Sequence, residues 1–330
     1  MAAPDRNMAL EMVRATEAAA MAAGRWMGKG DKNATEAAAV HAMWNMLNSV
    51  AMDGQIVIGE GEKGKAPYLF TGEKVGTEDP PSVDLAVDPI DGTRLTSLGL
   101  PGAISVVAVS DRGSIYTPPQ QFYMNKIVVG PEAADVIDIE APVEENIQRV
   151  AKRKGKALDD ITVVVLDRSR HEDLISEIRR AGARIKLIPD GDIAGALLTC
   201  KTPQGTDLLL GIGGSAEAVI IGCAIKAMGG NMQCQIWAKD AHEADQAREM
   251  GIDLDKIMGL DDLVKSENVF FAATGITDGE FLEGVRYEGR SIRTSSMVIR
   301  SRSGTIRYVE GIHKPQKLAL ISDVDYLKGI

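Results

Sequence analysis

The chain has 330 residues, which is enough for two domains or for one large domain with a buried core. Hydrophobic residues make up 45% of it and charged residues 25%, and this composition excludes a disordered or fibrous protein. The net charge of −10 argues against nucleic-acid or anionic-membrane partners, because both require a basic surface.

Cysteine and histidine usage limits the metal chemistry. The cysteines, Cys200, Cys223 and Cys234, lie in apolar segments without C-x-x-C spacing, and the four histidines show no metal-binding spacing. We therefore expect reduced core cysteines in a cytoplasmic protein and no zinc site. No secretory signal is predicted, and the longest apolar run, residues 216–228, is too short to span a membrane.

Two helices are predicted at the start of the chain. The first is capped by Asp5 and runs to about Met27, and the second runs from Asn33 to about Val50. Glu36 follows Asn33 by three residues, which is the spacing of a capping box. This spacing alone leaves a structural role and a functional role for Glu36 equally open.

A short strand at residues 55–58 is predicted to end in Gly59-Glu60-Gly61-Glu62. Alternating glycine and glutamate at a strand end allows the backbone to approach an ion closely while the carboxylates point towards it. A solvated acidic loop is the alternative interpretation of these four residues.

The next predicted strand carries Val83, Leu85 and Val87 and ends at Asp88-Pro89, because proline lacks an N–H group for strand pairing. Two carboxylates, Asp88 and Asp91, then stand three positions apart at the strand end. Hard divalent cations such as Mg²⁺ and Mn²⁺ prefer oxygen ligands arranged in this way. An Asx turn with Asp91-Gly92 at its corner is the simpler structural alternative.

The chain divides into two halves by its pattern. Strands continue to about residue 129 and predict an N-terminal mixed or antiparallel sheet with helices, assigned to residues 1–155. From residue 156 to 330, strands alternate with helices, as in a mostly parallel sheet with helices on its faces. The predicted fold class is therefore α/β.

Ligands of such sheets bind at the carboxyl ends of the strands. The ends of three successive predicted strands carry arginines, acids and glycines: Arg168-Ser169-Arg170, Asp190-Gly191-Asp192, and Gly213-Gly214 followed by Glu217. The arginines suit phosphate oxygens, and glycines before a helix can present N–H groups to an anion. Neither a dinucleotide fingerprint nor a Walker A lysine is present.

Several motifs in a fixed order resemble one known family. They are G-D-K-N at residues 30–33, V-I-G-E-G-E at 57–62, D-P-I-D-G-T at 88–93, Y-M-N-K at 123–126, P-D-G-D at 189–192 and G-I-G-G at 211–214. Together they resemble the metal-dependent, lithium-sensitive sugar and inositol phosphatases, and within these the class II fructose-1,6-bisphosphatases, from about residue 5 to residue 313. This resemblance implies a layered α-β-α-β-α sandwich.

The resemblance also implies roles for individual residues. It implies two or more Mg²⁺ or Mn²⁺ ions held by Glu36, Glu60, Asp88, Asp91 and Glu217, with Thr93 orienting a water and bonded to a carboxylate such as Glu36. The transferred phosphate would be held at Asp91, Gly92 and Thr93. The rest of the sugar substrate would contact Tyr123, Arg168, Ser169, Arg170, Asp190, Gly191, Asp192 and Gly214.

The reaction implied by the resemblance is hydrolysis of the 1-phosphate of fructose 1,6-bisphosphate, a step of gluconeogenesis. Sedoheptulose 1,7-bisphosphate is a second expected substrate, and a homo-oligomer is expected by analogy. Two departures from the family pattern are Gly64, where an acidic residue is common, and Ser215-Ala216 before Glu217. They leave open a catalytically weak phosphosugar-binding regulatory protein or a phosphatase for inositol phosphates.

Overall fold

The structure is a computed structural model that describes residues 8–119, 122–201, 205–320 and 324. The chain forms two compact units: the first unit is Met1–Ile115 with Ser266–Ile330, and the second unit is Tyr116–Lys265. The boundary expected after residue 155 therefore falls inside the second unit. The expected cap of the first helix, Asp5, lies outside the described residues.

The described part of the chain contains ten α-helices and fourteen strands. The helices are α1 (Met8–Gly24), α2 (Lys32–Asn48), α3 (Thr93–Leu98), α4 (Val143–Lys154), α5 (Glu172–Arg180), α6 (Asp192–Leu197), α7 (Ser215–Met228), α8 (Ala241–Glu249), α9 (Leu260–Leu263) and α10 (Pro315–Leu318). The strands are β1 (Asp53–Ile58), β2 (Lys74–Val75), β3 (Ser82–Asp91), β4 (Ile104–Asp111), β5 (Tyr123–Val129), β6 (Thr162–Leu166), β7 (Arg184–Ile188), β8 (Leu208–Gly214), β9 (Asn231–Trp237), β10 (Met258–Gly259), β11 (Val269–Gly275), β12 (Arg286–Glu288), β13 (Ser291–Arg300) and β14 (Thr305–His313).

The first unit is built on a mixed sheet. Its strand order is β12-β13-β11-β4-β3-β1-β2, and β14 pairs with β13. Only β1 and β3 pair in parallel among the described strands of this sheet. The α/β class with a mixed sheet is thus confirmed here, although β11 to β14 join it from the far end of the chain.

Helix α1 covers part of this sheet with an apolar stripe. The stripe that helical spacing predicts comprises Met8, Met12, Ala15, Ala19 and Ala22; the first four are buried and Ala22 is half-buried. The helix ends at Gly24, before the expected Met27. The Tyr287 hydroxyl packs against this position and donates to the Met21 carbonyl (2.6 Å), which satisfies an acceptor of the last turn.

The second unit has a sheet of strand order β10-β9-β5-β8-β6-β7. The expected parallel arrangement holds for β6, β7 and β8. The sheet as a whole is mixed, because β5, β9 and β10 pair antiparallel. Helices α4 and α5 pack over one face, where Ile127, Ile147, Val163 and Ile178 form part of the core.

All three cysteines are free thiols, as predicted. Burial raises the pKa of Cys200 to about 11 and that of Cys234 to about 12, so both thiols stay protonated and unreactive at neutral pH. Among the described residues, no helix has the length and apolar character needed to cross a bilayer.

Candidate active site

A bulge in β3 determines how Asp88 and Asp91 are aimed. The strand was predicted to end at Asp88-Pro89, but it continues to Asp91. Asp88 lies opposite Val106 of β4 and Asp91 opposite Ile104, so three steps along β3 match two along β4. Ladder partners lie on the same face, and Val106 and Ile104 are two residues apart. The bulge therefore turns both aspartates to one face and accommodates Pro89 inside the strand.

The bulge is held by its own polar groups. The Ile90 N–H donates to Asp88 Oδ1 (3.0 Å), so the Asx turn forms at Asp88 rather than at the Asp91-Gly92 corner. Asp91 is only 4% exposed. Gly92, at φ +96°, occupies the left-handed region and leads directly into α3.

Thr93 is the first residue of α3. Its hydroxyl donates to the Ile90 carbonyl (3.4 Å), whereas the sequence led us to expect a carboxylate such as Glu36 as its partner. Thr93 is half-buried, and its hydroxyl oxygen can accept a hydrogen bond while it donates this one.

Glu60 reaches the same sheet edge from β1. Because β1 and β3 are parallel and Ile58 lies opposite Ala86, Glu60 and Asp88 are each two residues beyond a matched pair. A Cβ on Gly59 would lie 2.0 Å from the Leu69 carbonyl oxygen, so only glycine fits there. The Glu60 N–H donates to that same oxygen (2.9 Å), which fixes the start of the loop.

The other glutamate of this loop is engaged elsewhere. Glu62 is exposed and pairs with Lys65 (2.7 Å), and the hydrogen bond from Lys65 lowers the pKa of its carboxyl group. Gly64 lies between them at φ +87°. This loop therefore contributes Glu60, and not Glu62, as a candidate ligand.

Glu36 is exposed near the start of α2 and takes no part in capping it. The capping-box interpretation is wrong, because Asp31 caps the helix and accepts a hydrogen bond from the Ala34 N–H (2.9 Å). Helix α2 packs against α3, which begins with Thr93.

The four acidic positions of the first unit fit a hard divalent cation in their donor chemistry, since all are carboxylates. The register of β1, β3 and β4 brings three of them, Glu60, Asp88 and Asp91, to the edge of the sheet at which β1 and β3 end, which we call the acidic edge. Within the described residues, however, no group of three or more acidic, histidine or cysteine side chains is gathered so that it could hold an ion. Convergence of these side chains on a metal therefore stays a prediction.

In the second unit, an ion pair joins two predicted strand ends. Arg168 follows β6, and Pro189 and Asp190 follow β7. Arg168 donates to Asp190 Oδ1 (3.0 Å) and to the Pro189 carbonyl (2.5 Å). Both side chains are half-buried. Because β6 and β7 are parallel, their carboxyl ends lie side by side and this pair can form.

Arg170 and Tyr123 form a stacked pair. The Arg170 guanidinium lies 5.0 Å from the centre of the Tyr123 ring, and its Nε and Nη2 atoms donate to the Ile212 carbonyl (3.1 and 2.7 Å). Tyr123 is 41% exposed, so it is not the core residue that an aromatic in a strand usually is. Its ring meets the edge of Trp237 with centroids 6.5 Å apart.

Lys126 was not among the site residues predicted from the sequence. Its ammonium group lies 2.5 Å from Asp192 Oδ2, and both residues are buried, at 2% and 6% exposure. A Cβ on Gly213 would lie 2.2 Å from that same oxygen, so glycine is required beside the pair. A lysine inside the buried pattern of β5 was the signal that could have predicted an internal ion pair.

Glu217 lies in the first turn of α7. A Cβ on Gly214 would lie 1.9 Å from its carboxylate, so the side chain packs closely over that glycine. Burial, and next the negative charge of Asp192, raise the pKa of the Glu217 carboxyl group. The positive charge of Lys126 opposes this rise in the pKa.

His171 fixes the strand end that Arg170 contacts. Its Nδ1 donates to the Leu166 carbonyl (2.7 Å), and its Nε2 accepts from the Ile212 N–H (2.8 Å). The ring is 1% exposed, and burial lowers its pKa from the ordinary value of 6.5. These bonds require the neutral ring, because a protonated Nε2 could not accept.

Acidification should therefore destabilise the protein through His171. Below pH 6.5 the unfolded chain takes up a proton that the folded ring resists, so the free energy of unfolding falls as the pH falls. We expect a loss of about 1 kcal/mol per pH unit just below that value, measured by urea unfolding. His171→Gln should flatten this dependence, and an unchanged slope would contradict the role.

The predicted site residues fall into two sets, one in each unit. The first unit carries Glu36, Glu60, Asp88, Asp91, Gly92 and Thr93, and the second carries Tyr123, Arg168, Ser169, Arg170, Asp190, Gly191, Asp192, Gly214 and Glu217. The second set lies largely at the carboxyl ends of β6, β7 and β8, as expected.

An α/β fold with an acidic sheet edge and arginines at strand ends is typical of the class of enzymes that act on phosphate esters. Residues 6–313 match the family described as bacterial fructose-1,6-bisphosphatase, glpX-encoded. The chain belongs to this family, whose members depend on divalent metal ions.

Two curated relatives support the assignment. Fructose-1,6-bisphosphatase 1 class 2 from Escherichia coli (strain K12) is 43% identical over 321 residues, covering 93% of this chain and 95% of the relative. Fructose-1,6-bisphosphatase class 2 from Shigella flexneri gives the same values. The extragenic suppressor protein suhB from Bartonella henselae aligns with 59% of this chain and 74% of its own, at 15% identity and a TM-score of 0.34.

Proposed function

We propose that this protein hydrolyses the 1-phosphate of fructose 1,6-bisphosphate to give fructose 6-phosphate in gluconeogenesis. Family membership over residues 6–313 supports this reaction. The observation that carries it in the structure is the β3 bulge, which turns Asp88 and Asp91 to one face beside the end of β1.

The charge of the protein supports a metal-dependent reaction. A chain of net charge −10 repels a doubly phosphorylated sugar unless cations invert the local sign. Glu36, Glu60, Asp88 and Asp91 would hold Mg²⁺ or Mn²⁺, and the assignment of Glu217 as a further ligand rests on the sequence resemblance. Bound ions would supply an activated water and neutralise charge on the phosphoryl group.

The protein's own groups would position the reactants. The Thr93 hydroxyl would accept a hydrogen bond from the attacking water while it donates its own hydrogen to the Ile90 carbonyl. The N–H groups of Gly92 and Thr93 hold the phosphate close to Asp91. Because Gly92 has no side chain, its backbone can approach the phosphate closely.

The second unit would recognise the rest of the sugar. Arg170, stacked on Tyr123, keeps N–H groups available for a phosphate while two others hold Ile212. Further contacts to hydroxyl groups and to the distal phosphate would come from Arg168, Ser169, Asp190, Gly191, Asp192 and Gly214.

We also propose a cytoplasmic location, a homo-oligomer, and sedoheptulose 1,7-bisphosphate as a second substrate. Free thiols with pKa values raised to about 11 and about 12 suit a reducing compartment. A ketose 1-phosphate end is common to both sugars, so the same acidic edge would serve both.

A phosphate-release assay tests this function. With fructose 1,6-bisphosphate we expect turnover in Mn²⁺ or Mg²⁺ and its loss in excess chelator, restored by adding the metal back, because the acidic edge cannot bind the substrate alone. Inositol 1-phosphate serves as the comparison substrate.

Two other results of this assay would each indicate a different function. Release only from inositol 1-phosphate would indicate an inositol phosphatase. Binding of fructose 1,6-bisphosphate without metal-dependent release would indicate a regulatory phosphosugar-binding protein, and Lys63-Gly64-Lys65 would then be the first segment to examine.

A further inference from the structure

The second unit contains a cavity of about 230 Å³ that shares only Arg170 with the residues proposed to bind the substrate. Residues of β5, β8 and β9 form one side, and residues at the start of α4 and α5 form the other. Its walls are mainly apolar and include Ile139, Leu174 and Trp237. This volume is just below the roughly 300–1,000 Å³ of pockets for drug-sized ligands, so it suits a smaller molecule.

The walls of this cavity are fixed before any ligand arrives. The buried Asn146 side chain donates to the carbonyls of Asp138 (2.7 Å) and Ala141 (3.2 Å) and accepts from the Asp138 N–H (2.9 Å). Gln233 Oε1 accepts from the Ile139 N–H (2.7 Å). A preformed pocket binds with a small ordering cost.

The polar groups of the cavity favour a negative charge. Its described lining has no aspartate or glutamate, and its charged or titratable members are Lys126, Arg170 and His171. Lys126 is neutralised by Asp192, and both ring nitrogens of His171 are bonded, so Arg170 supplies the positive charge. The half-buried amide of Asn125 also lines it, and the described residues offer that side chain no hydrogen-bond partner.

We propose that this cavity binds a small organic carboxylate with an apolar body. The carboxylate lies between the Arg170 N–H groups and the Asn125 amide, and the apolar part packs on Leu174 and Trp237. Because Arg170 also stacks on Tyr123, an occupied cavity alters the residues proposed to bind the substrate. This last consequence rests on the proposed function, and the binding itself does not.

Benzoate is a suitable probe, measured by calorimetry with chelator present and substrate absent. We expect saturable binding in the millimolar range, and binding of neutral benzamide about tenfold weaker because it lacks the charge. With substrate and metal present, benzoate should raise KM at least twofold and change kcat little. Binding without an effect on KM would confirm the site and contradict its link to Arg170.

Two variants and one control locate the binding. Ala141→Leu fills the cavity from its fixed wall and should weaken benzoate binding about tenfold or more, and Asn125→Leu should weaken it about fivefold by removing the amide. Ala134→Leu, at another half-buried alanine outside the cavity, should leave it unchanged. The proposal would be overturned if benzoate binding did not saturate, or if Ala141→Leu and Asn125→Leu both bound benzoate as tightly as the wild type.

Discussion

Asp91→Asn should lower metal-dependent phosphate release from fructose 1,6-bisphosphate about a thousandfold while the protein stays folded. The substitution keeps the size of the side chain but removes its charge. Loss of one ligand carboxylate forfeits several kcal/mol of transition-state stabilisation, and every 1.4 kcal/mol is tenfold in rate. Initial rates at saturating metal measure the effect, and circular dichroism checks the fold.

Asp84→Asn is a matched control in the same strand. Asp84 is 1% exposed, but its carboxylate accepts hydrogen bonds from the N–H groups of Ser114 (3.0 Å) and Ile115 (3.3 Å). Its substitution should reduce stability and leave kcat of the folded protein within about twofold, because it acts on the fold alone. Equal turnover by the wild type and Asp91→Asn would show that Asp91 binds no metal ion needed for phosphate release.

The acidic sheet edge shows how far sequence reasoning reaches. Alternation of Val83, Leu85 and Val87 predicts β3, and the two aspartates mark its end as a candidate site. The bulge that puts Asp88 and Asp91 on one face could not be predicted, because it depends on the pairing of β3 with β4. Local pattern thus identifies the candidate ligands, and strand register determines how they are aimed.

Pairing between distant segments explains the other differences. The residues of β13 and β14 flank a Ser303-Gly304 turn that favours a hairpin, but the place of this hairpin in the first unit depends on β11, which pairs with both β13 and β4. Nothing local to either strand specifies that partner. By contrast, β9 was missed although Met232, Cys234 and Ile236 alternate with polar residues there, so its signal was present.

The resemblance named residues whose contacts it could not describe. Asp192 was predicted to contact the substrate, and the structure pairs one of its oxygens with Lys126. Glu217 was predicted as a ligand, and burial, followed by the negative charge of Asp192, raises the pKa of its carboxyl group. Both carboxyl groups therefore depend on Lys126, because it pairs with Asp192 and its positive charge opposes the rise in the pKa of Glu217.

Lys126→Met should be the most destabilising of the substitutions considered, at about 3–5 kcal/mol, because it leaves Asp192 buried without its partner. Lys126→Met with Asp192→Leu should recover most of this loss, since an apolar pair of similar size needs no compensating charge. Lys65→Met removes the exposed ion pair with Glu62, which solvent screens, and should leave the stability nearly unchanged. Urea unfolding followed by circular dichroism compares all three proteins with the wild type. A similar loss in the single and the double variant would show that Lys126 stabilises the sheet through its packing and not through its charge.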